Sequence, residues 1–334
     1  MATGTITIQG DNQNARITDQ TEVTGVNITG TQGPDILNGS DGNDTITALG
    51  GNDTIFGSLG QDSIDAGAGR DTIDYSSING AITLFPQGIL DNGDPQESQL
   101  TNIETIIGAS GQPNTIDASA VTTQLGATLN IDLGTNKLTV KNIPNLGTQR
   151  FTVQNFVNVE GTQNNDRILG NNEANTINGN GGNDFLTGAG GNDAITGGDG
   201  NDTLSGTNST VKGVGESDIL TGSNGTDKFV LGDTSGSFYE TGGNADLATI
   251  NDFGAGDQIQ LGTGDTYRIE RGSGNFKVFT TTNGANDLIA DVSFGSSSGT
   301  NNLRTTDSAD LLAGVPEGDF TIAGGESVGI FVGS

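Results

Sequence analysis

The chain has 334 residues, 56 of them glycine, with no cysteine, histidine or tryptophan, and its 41 acidic against 12 basic side chains give a formal charge of -29. A basic deficit of that size excludes nucleic acid or an anionic membrane surface as partner, since both need clustered Lys and Arg. Without cysteine there is no disulfide or thiolate chemistry, and without histidine the HExxH zinc-protease motif and most acyl-transfer triads are excluded.

The opening MATGTITIQG has no basic region followed by an apolar run, so no Sec-type signal peptide is expected. No apolar stretch approaches the ~20 residues of a membrane-spanning helix. Residues 1–29 hold two short alternating runs, TITI at 5–8 and VNIT at 26–29, which predict irregular N-terminal cap coils.

Residues 30–74 repeat every nine positions as GTQGPDILN, GSDGNDTIT, ALGGNDTIF, GSLGQDSID and AGAGRDTID. Asp35, Asp44, Asp53, Asp62 and Asp71 share one phase, and Leu37, Ile46, Ile55, Ile64 and Ile73 follow two residues later. The Gly- and Asn-rich residues before each Asp suit a turn, and the three after it read as a very short strand with one inward side chain. A unit that buries a single aliphatic group cannot fold alone and must stack on copies of itself.

If successive strands lie on opposite walls of a flattened coil, Asp35, Asp53 and Asp71 form one column and Asp44 and Asp62 another, spaced by about 4.8 Å. Two carboxylates that close repel by roughly 3 kcal/mol at an effective dielectric near 20. A cation between them is expected, and Arg70 is the only basic residue inside this block. Carboxylates with carbonyls of Gly-rich turns form a hard oxygen set suited to Ca²⁺, which takes about six to eight such ligands.

Across residues 75–160 the nonapeptide phase is lost while short β-type runs continue, at 81–85, 103–107, 129–133, 138–140 and 151–153. One remnant, ASGQPNTID, places Asn114 at the Asp phase, where an amide offers oxygen but no charge. These residues are expected to form wider, calcium-poor coils or a β insertion. The group Asp91-Asn92-Gly93-Asp94, with Glu97 beyond, lacks the spacing of an EF-hand and is expected to be a solvated turn.

The repeat returns over 161–230 as GTQNNDRIL, GNNEANTIN, GNGGNDFLT, GAGGNDAIT and GGDGNDTLS, then GVGESDILT and GSNGTDKFV. Asp166, Asp184, Asp193, Asp202, Asp218 and Asp227 hold the phase, with Asn175 in place of one Asp. Seven extra residues precede Gly213, and a loop bulging from one turn would absorb them. From 231 the pattern changes, and strands are expected at 266–271, 275–282 and 287–293, with Asn283-Gly284 as a hairpin turn.

These nonapeptides resemble those of the RTX (repeats in toxin) family, whose consensus is G-G-x-G-x-D-x-U-x with U large and apolar. The resemblance implies an all-β chain built as a right-handed parallel β-roll or β-solenoid, with several calcium ions in its turns, each bridging Asp residues of adjacent coils. The expected ligands are the eleven phased Asp residues named above, with the carbonyls of Gly42, Gly51, Gly60, Gly182, Gly191 and Gly200 completing the shells. The segment ADLATINDFGAGDQIQL at 245–261 resembles the piece that often follows RTX blocks and closes the roll, so 231–334 is expected to be a C-terminal β-rich cap. The family also implies an uncleaved C-terminal export signal read by a type I secretion machinery, which the uncharged SVGIFVGS at 327–334 would suit.

No catalytic residue is expected. GSSSG at 295–299 matches G-x-S-x-G formally, but no histidine can serve it as base. The resulting expectation is a secreted or cell-surface bacterial calcium-binding structural or matrix protein that folds on meeting extracellular calcium, with self-assembly or extracellular polysaccharide as further partners. The alternative is a carbohydrate-active enzyme or polysaccharide-binding module on the same scaffold, because paired carboxylates can cleave glycosides.

Overall fold

Each nonapeptide of the first block folds as its pattern dictates, a Gly-rich turn followed by a three-residue strand: Ile36–Asn38, Thr45–Thr47, Thr54–Phe56, Ser63–Asp65 and Thr72–Asp74. The computed structural model describes residues 25–93, 97–121, 126–240, 245–254, 256–272, 274–281 and 286–295, and the backbone of 4–7, 301–305, 319–323 and 327–332. Asp94, the expected Asn283-Gly284 turn, most of residues 295–299 and the outer ends of the 5–8 and 327–334 runs lie outside these. Among the described residues there is no α-helix, and parallel sheets form the bulk of the structure. Two compact units emerge, Met1–Ala127 with Thr135–Asn158, and Thr128–Gly134 with Val159–Ser334.

Within the first repeat block successive strands alternate between two sheets, so each pairs in parallel with the strand eighteen residues on, and longer steps carry the ladders past residue 75. Ile28, Ile46, Ile64 and Leu100 form one inward ladder, and Leu37, Ile55, Ile73, Ile106 and Val153 the other. Leu37, Ile46, Ile55, Ile64 and Ile73 are at most 2% exposed. Burial of one such side chain contributes about 1.5–3 kcal/mol, so stability accrues coil by coil. Turn glycines sit where backbone meets backbone: Gly51 and Gly60 have φ of 126° and 102°, and a Cβ on either would collide with the Gly33 or Gly42 backbone one coil earlier.

Beyond residue 75 the two expectations for the middle region both describe part of it. Ser98–Thr101, Thr105–Ile107 and Asn114–Asp117 continue the parallel ladders. Antiparallel strands are inserted among them, Thr83–Phe85 against Ile89–Asp91 and Lys137–Ile143 against Gly147–Gln154.

The second unit repeats the plan. Ile131, Ile168, Leu186, Leu204, Phe229 and Ile259 stack on one wall, and Ile177, Ile195, Leu220, Ile250 and Val292 on the other. The extra residues lie in a turn at 209–215, and both ladders pass it in register, with Ala194 opposite Ile219 and Thr203 opposite Lys228. The unit ends in antiparallel strands, Thr266–Arg271 on Asn275–Thr280 and Asn275–Thr280 on Asp287–Phe294. Phe229, Phe253 and Phe276 pack there at centroid distances of 5.9 and 5.6 Å.

Candidate metal centre

The phased aspartates lie at the junction of turn and strand, one residue ahead of each triplet. Asp35, Asp44, Asp53, Asp62, Asp71, Asp166, Asp184, Asp193, Asp202, Asp218 and Asp227 are all buried, none more than 4% exposed. Parallel pairing brings each beside its equivalent one coil away. There, in all but Asp35, whose carboxylate accepts Thr31 N, one carboxylate oxygen accepts the backbone amide of the preceding coil.

In the first unit Asp35 N donates to Asp53 Oδ1 at 2.7 Å and Asp53 N to Asp71 Oδ1 at 2.8 Å. On the opposite wall Val26 N donates to Asp44 Oδ1 at 2.7 Å and Asp44 N to Asp62 Oδ1 at 3.0 Å. In the second unit the series runs from Leu129 N to Asp166, Asp166 N to Asp184, Asp184 N to Asp202 and Asp202 N to Asp227, at 2.6–2.9 Å. Its companion runs from Asn175 N to Asp193 and Asp193 N to Asp218, both at 2.8 Å.

The other carboxylate oxygen points into the turn. On Asp53, Asp71, Asp184, Asp193 and Asp202 this Oδ2 is buried and has no hydrogen-bond partner. A glycine five residues before the Asp makes room for it, since a Cβ on Gly39, Gly179, Gly188, Gly197 or Gly222 would overlap the Oδ2 of Asp44, Asp184, Asp193, Asp202 or Asp227. The carbonyls of Gly42, Gly51, Gly182 and Gly200 point along the stack at the glycines one coil on, Gly60, Gly69, Gly200 and Gly225. Gly182, Gly191 and Gly200 have φ of 109°, 101° and 140°, while Gly42 lies outside the left-handed region.

Burial of stacked like charges shows in the acidities. Desolvation above all raises Asp184 and Asp193 to about 8, with the Asp166 and Asp202 charges adding to the first and those of Asp218 and Glu216 to the second. Asp227 rises to about 7 and Asp53, Asp166 and Asp218 to about 6, each chiefly through burial. Buried carboxylates with an open oxygen and no positive partner call for a cation. The donors fit calcium: all are hard oxygens, and cysteine and histidine are absent from the chain. No group of three or more carboxylates among the described residues stands close enough to hold an ion alone, so turn carbonyls must supply the rest of any shell.

Several acidic and polar groups of these columns escape the nonapeptide rule. Glu104 stands one coil beyond Asp71 and accepts its amide at 2.8 Å. Asp257 accepts Asp227 N at 2.8 Å, and Asp252 accepts Gly222 N and Ser223 N at 3.0 and 2.7 Å. Glu216, two residues before Asp218, accepts Gly191 N at 3.0 Å and keeps a buried, unpartnered Oε2. The expected solvated turn at 91–94 is corrected in part: Asp91 caps it from the surface by accepting Gly93 N, but Asn92 is 1% exposed.

The fold and these turns define a class, an all-β parallel roll whose coil junctions carry buried acidic columns. The RTX calcium-binding nonapeptide repeat family matches the chain in four copies, at residues 29–64, 47–77, 160–195 and 179–210, so the repeats within 29–77 and 160–210 are RTX calcium-binding repeats. No curated protein matches the chain by sequence. Among solved structures it is similar to the extracellular lipase LipA from Serratia marcescens, at 17% identity and a TM-score of 0.24, over 84% of this chain and 39% of the lipase. The chain thus spans well under half of that protein.

Proposed function

We propose that the chain is a secreted bacterial calcium-binding protein whose repeat blocks, 30–74 and 161–230, fold when they meet extracellular calcium, and that it serves as a structural protein of a surface or matrix. In this reading 1–29 and 231–334 cap the rolls, 75–160 supplies calcium-poor coils, and the C-terminal segment is the part addressed to a type I exporter. The observation that carries it is the row of buried aspartates, each with one oxygen held by a backbone amide and, at five of them, the other without a partner. Bound calcium supplies the positive charge these columns lack.

The phased Asp residues and turn carbonyls hold the ions, and the raised pKa values of Asp184 and Asp193 reflect how the metal-free columns resist carrying their charges at neutral pH. At the low calcium of a cytoplasm the chain stays unfolded, and at roughly 10⁻⁴–10⁻³ M outside, the range of extracellular modules, it folds. Far-UV circular dichroism of chelated protein titrated with Ca²⁺, with Mg²⁺ as control, tests this. A cooperative gain of β signal with calcium alone is expected, whereas a folded protein indifferent to chelator would overturn the reading.

A further inference from the structure

Two aspartate columns run on into another carboxylate, Glu104 or Asp257, but those of Asp62 and Asp218 end against neutral hydrogen-bond donors. Above Asp62 the next register position belongs to Ser98, since Ser63 pairs with Gln99. Ser98 Oγ accepts Asp62 N at 3.0 Å, as an aspartate Oδ1 does lower in the column, and donates to Gly60 O at 3.2 Å. Beside it Asn92 Nδ2 donates to two turn carbonyls, Ser58 O at 2.8 Å and Gly60 O at 3.0 Å. Both side chains are buried, Asn92 at 1% exposed and Ser98 at 0%.

Chemistry decides which end of the Asn92 amide faces these carbonyls. A carbonyl only accepts, so the NH₂ belongs there. The lengths are those of N–H···O hydrogen bonds.

Asn114 shows the same device. Its Oδ1 accepts Ile82 N at 2.9 Å, and its Nδ2 donates to Ala109 O at 2.8 Å and Asn155 O at 2.6 Å. On Asp53 the corresponding Oδ1 accepts Asp35 N while Oδ2 is left unpartnered. In the second unit Tyr239 Oη donates to Asp218 Oδ2 at 2.6 Å, whereas the Oδ2 of Asp193 has no partner. Tyr239 is wholly buried.

We propose that Asn92 and Tyr239, at the ends of the Asp62 and Asp218 columns, and Asn114, at the Asp phase of a calcium-poor coil, are neutral stand-ins for calcium, hydrogen-bond donors built into the turns so that no metal loads there while the coils remain satisfied. This rests on the calcium reading of the repeats. It fixes where ions do not bind and gives the Asp62 and Asp218 columns a defined length.

The test counts bound calcium per chain by equilibrium dialysis with metal analysis, alongside the thermal midpoint at saturating calcium. Wild-type protein that binds no calcium would sink the calcium reading itself, independently of the variants. Given binding, Asn92→Ala is expected to keep the wild-type number of ions and melt lower, and Asn92→Asp to bind about one more ion. Loss of an ion in Asn92→Ala would mean that its amide oxygen faces a metal, and a folded Asn92→Asp with no extra ion would mean that the turn is not a cation position. Either result overturns the proposal. Asn114→Asp carries the same expected gain, and the same refutation, should the Asn92 variants fail to fold.

Discussion

Asp53→Ala removes the central member of a column. Asp53 is 1% exposed, accepts Asp35 N at 2.7 Å and donates its own amide to Asp71 Oδ1 at 2.8 Å. The variant removes the carboxylate oxygen that accepts the buried Asp35 amide, a loss of about 1–3 kcal/mol with or without metal. In metal-free protein a gain opposes it, since a carboxyl raised to about 6 by burial and by the Asp71 and Asp35 charges is gone. With calcium the balance differs, because the two sites shared with Asp35 and Asp71 each lose a ligand. An ion in hundredfold excess over its dissociation constant stabilises by about 2.7 kcal/mol, so two lost sites amount to about 5 kcal/mol, comparable to the whole stability of a small domain. The assay is the calcium midpoint of folding by circular dichroism, with the urea midpoint at saturating calcium. Asp41→Ala, which removes the same charge from an exposed position in the neighbouring repeat, is the control. Equal shifts of the calcium midpoint in the two variants would refute the column.

The raised carboxyl pKa values set a pH dependence. Between about pH 4 and 8 the folded metal-free chain binds more protons at Asp184 and Asp193 than the unfolded chain, so its stability falls as pH rises through that window. Calcium needs the ionised form, so its affinity should increase from pH 6 to 8 with release of protons, and calorimetry in buffers of different ionisation enthalpy that finds no proton release would contradict this. Gly188→Ala would press a methyl group onto Asp193 Oδ2, so calcium binding should weaken, and an unchanged binding isotherm would count against the cradle. Leu204→Ala removes a 0% exposed side chain stacked between Leu186 and Phe229 and should cost about 2–5 kcal/mol in urea unfolding with calcium present; a loss below about 1 kcal/mol would mean the ladder is loosely packed.

The strict period made the rolls legible from sequence. Where Asp and an aliphatic residue recur every nine positions, strand, inward ladder and stacking partner follow from spacing alone, and Ile46 lies opposite Ile64 because eighteen residues make one coil. Legibility ends where one coil takes a different number of residues. Asp71 meets Glu104 across 33 positions, Asp62 meets Ser98 across 36 and Asp227 meets Asp257 across 30, and no fixed period can link such pairs. The antiparallel pair Lys137–Ile143 and Gly147–Gln154 showed only as isolated β-type runs, since alternation does not reveal strand direction. Asn92 was hidden for another reason. Its surroundings, Asp91 and Gly93, carry the composition of a surface turn, and its burial comes from Ser58 and Gly60, more than thirty residues away.

The turn at 209–215 shows what the architecture tolerates. Its extra residues lengthen one hydrogen-bonded step from eighteen to 25 positions, yet Asp193 still reaches Asp218 and Asp202 still reaches Asp227 at 2.8 and 2.9 Å. Part of the turn is fastened, as Tyr239 N donates to Lys212 O and a Cβ on Gly213 would meet the Tyr239 ring, but Ser209 and Thr210 are exposed. Those two positions form a natural grafting point, where a foreign epitope or reporter peptide can be spliced in and displayed without breaking the ladder beneath it.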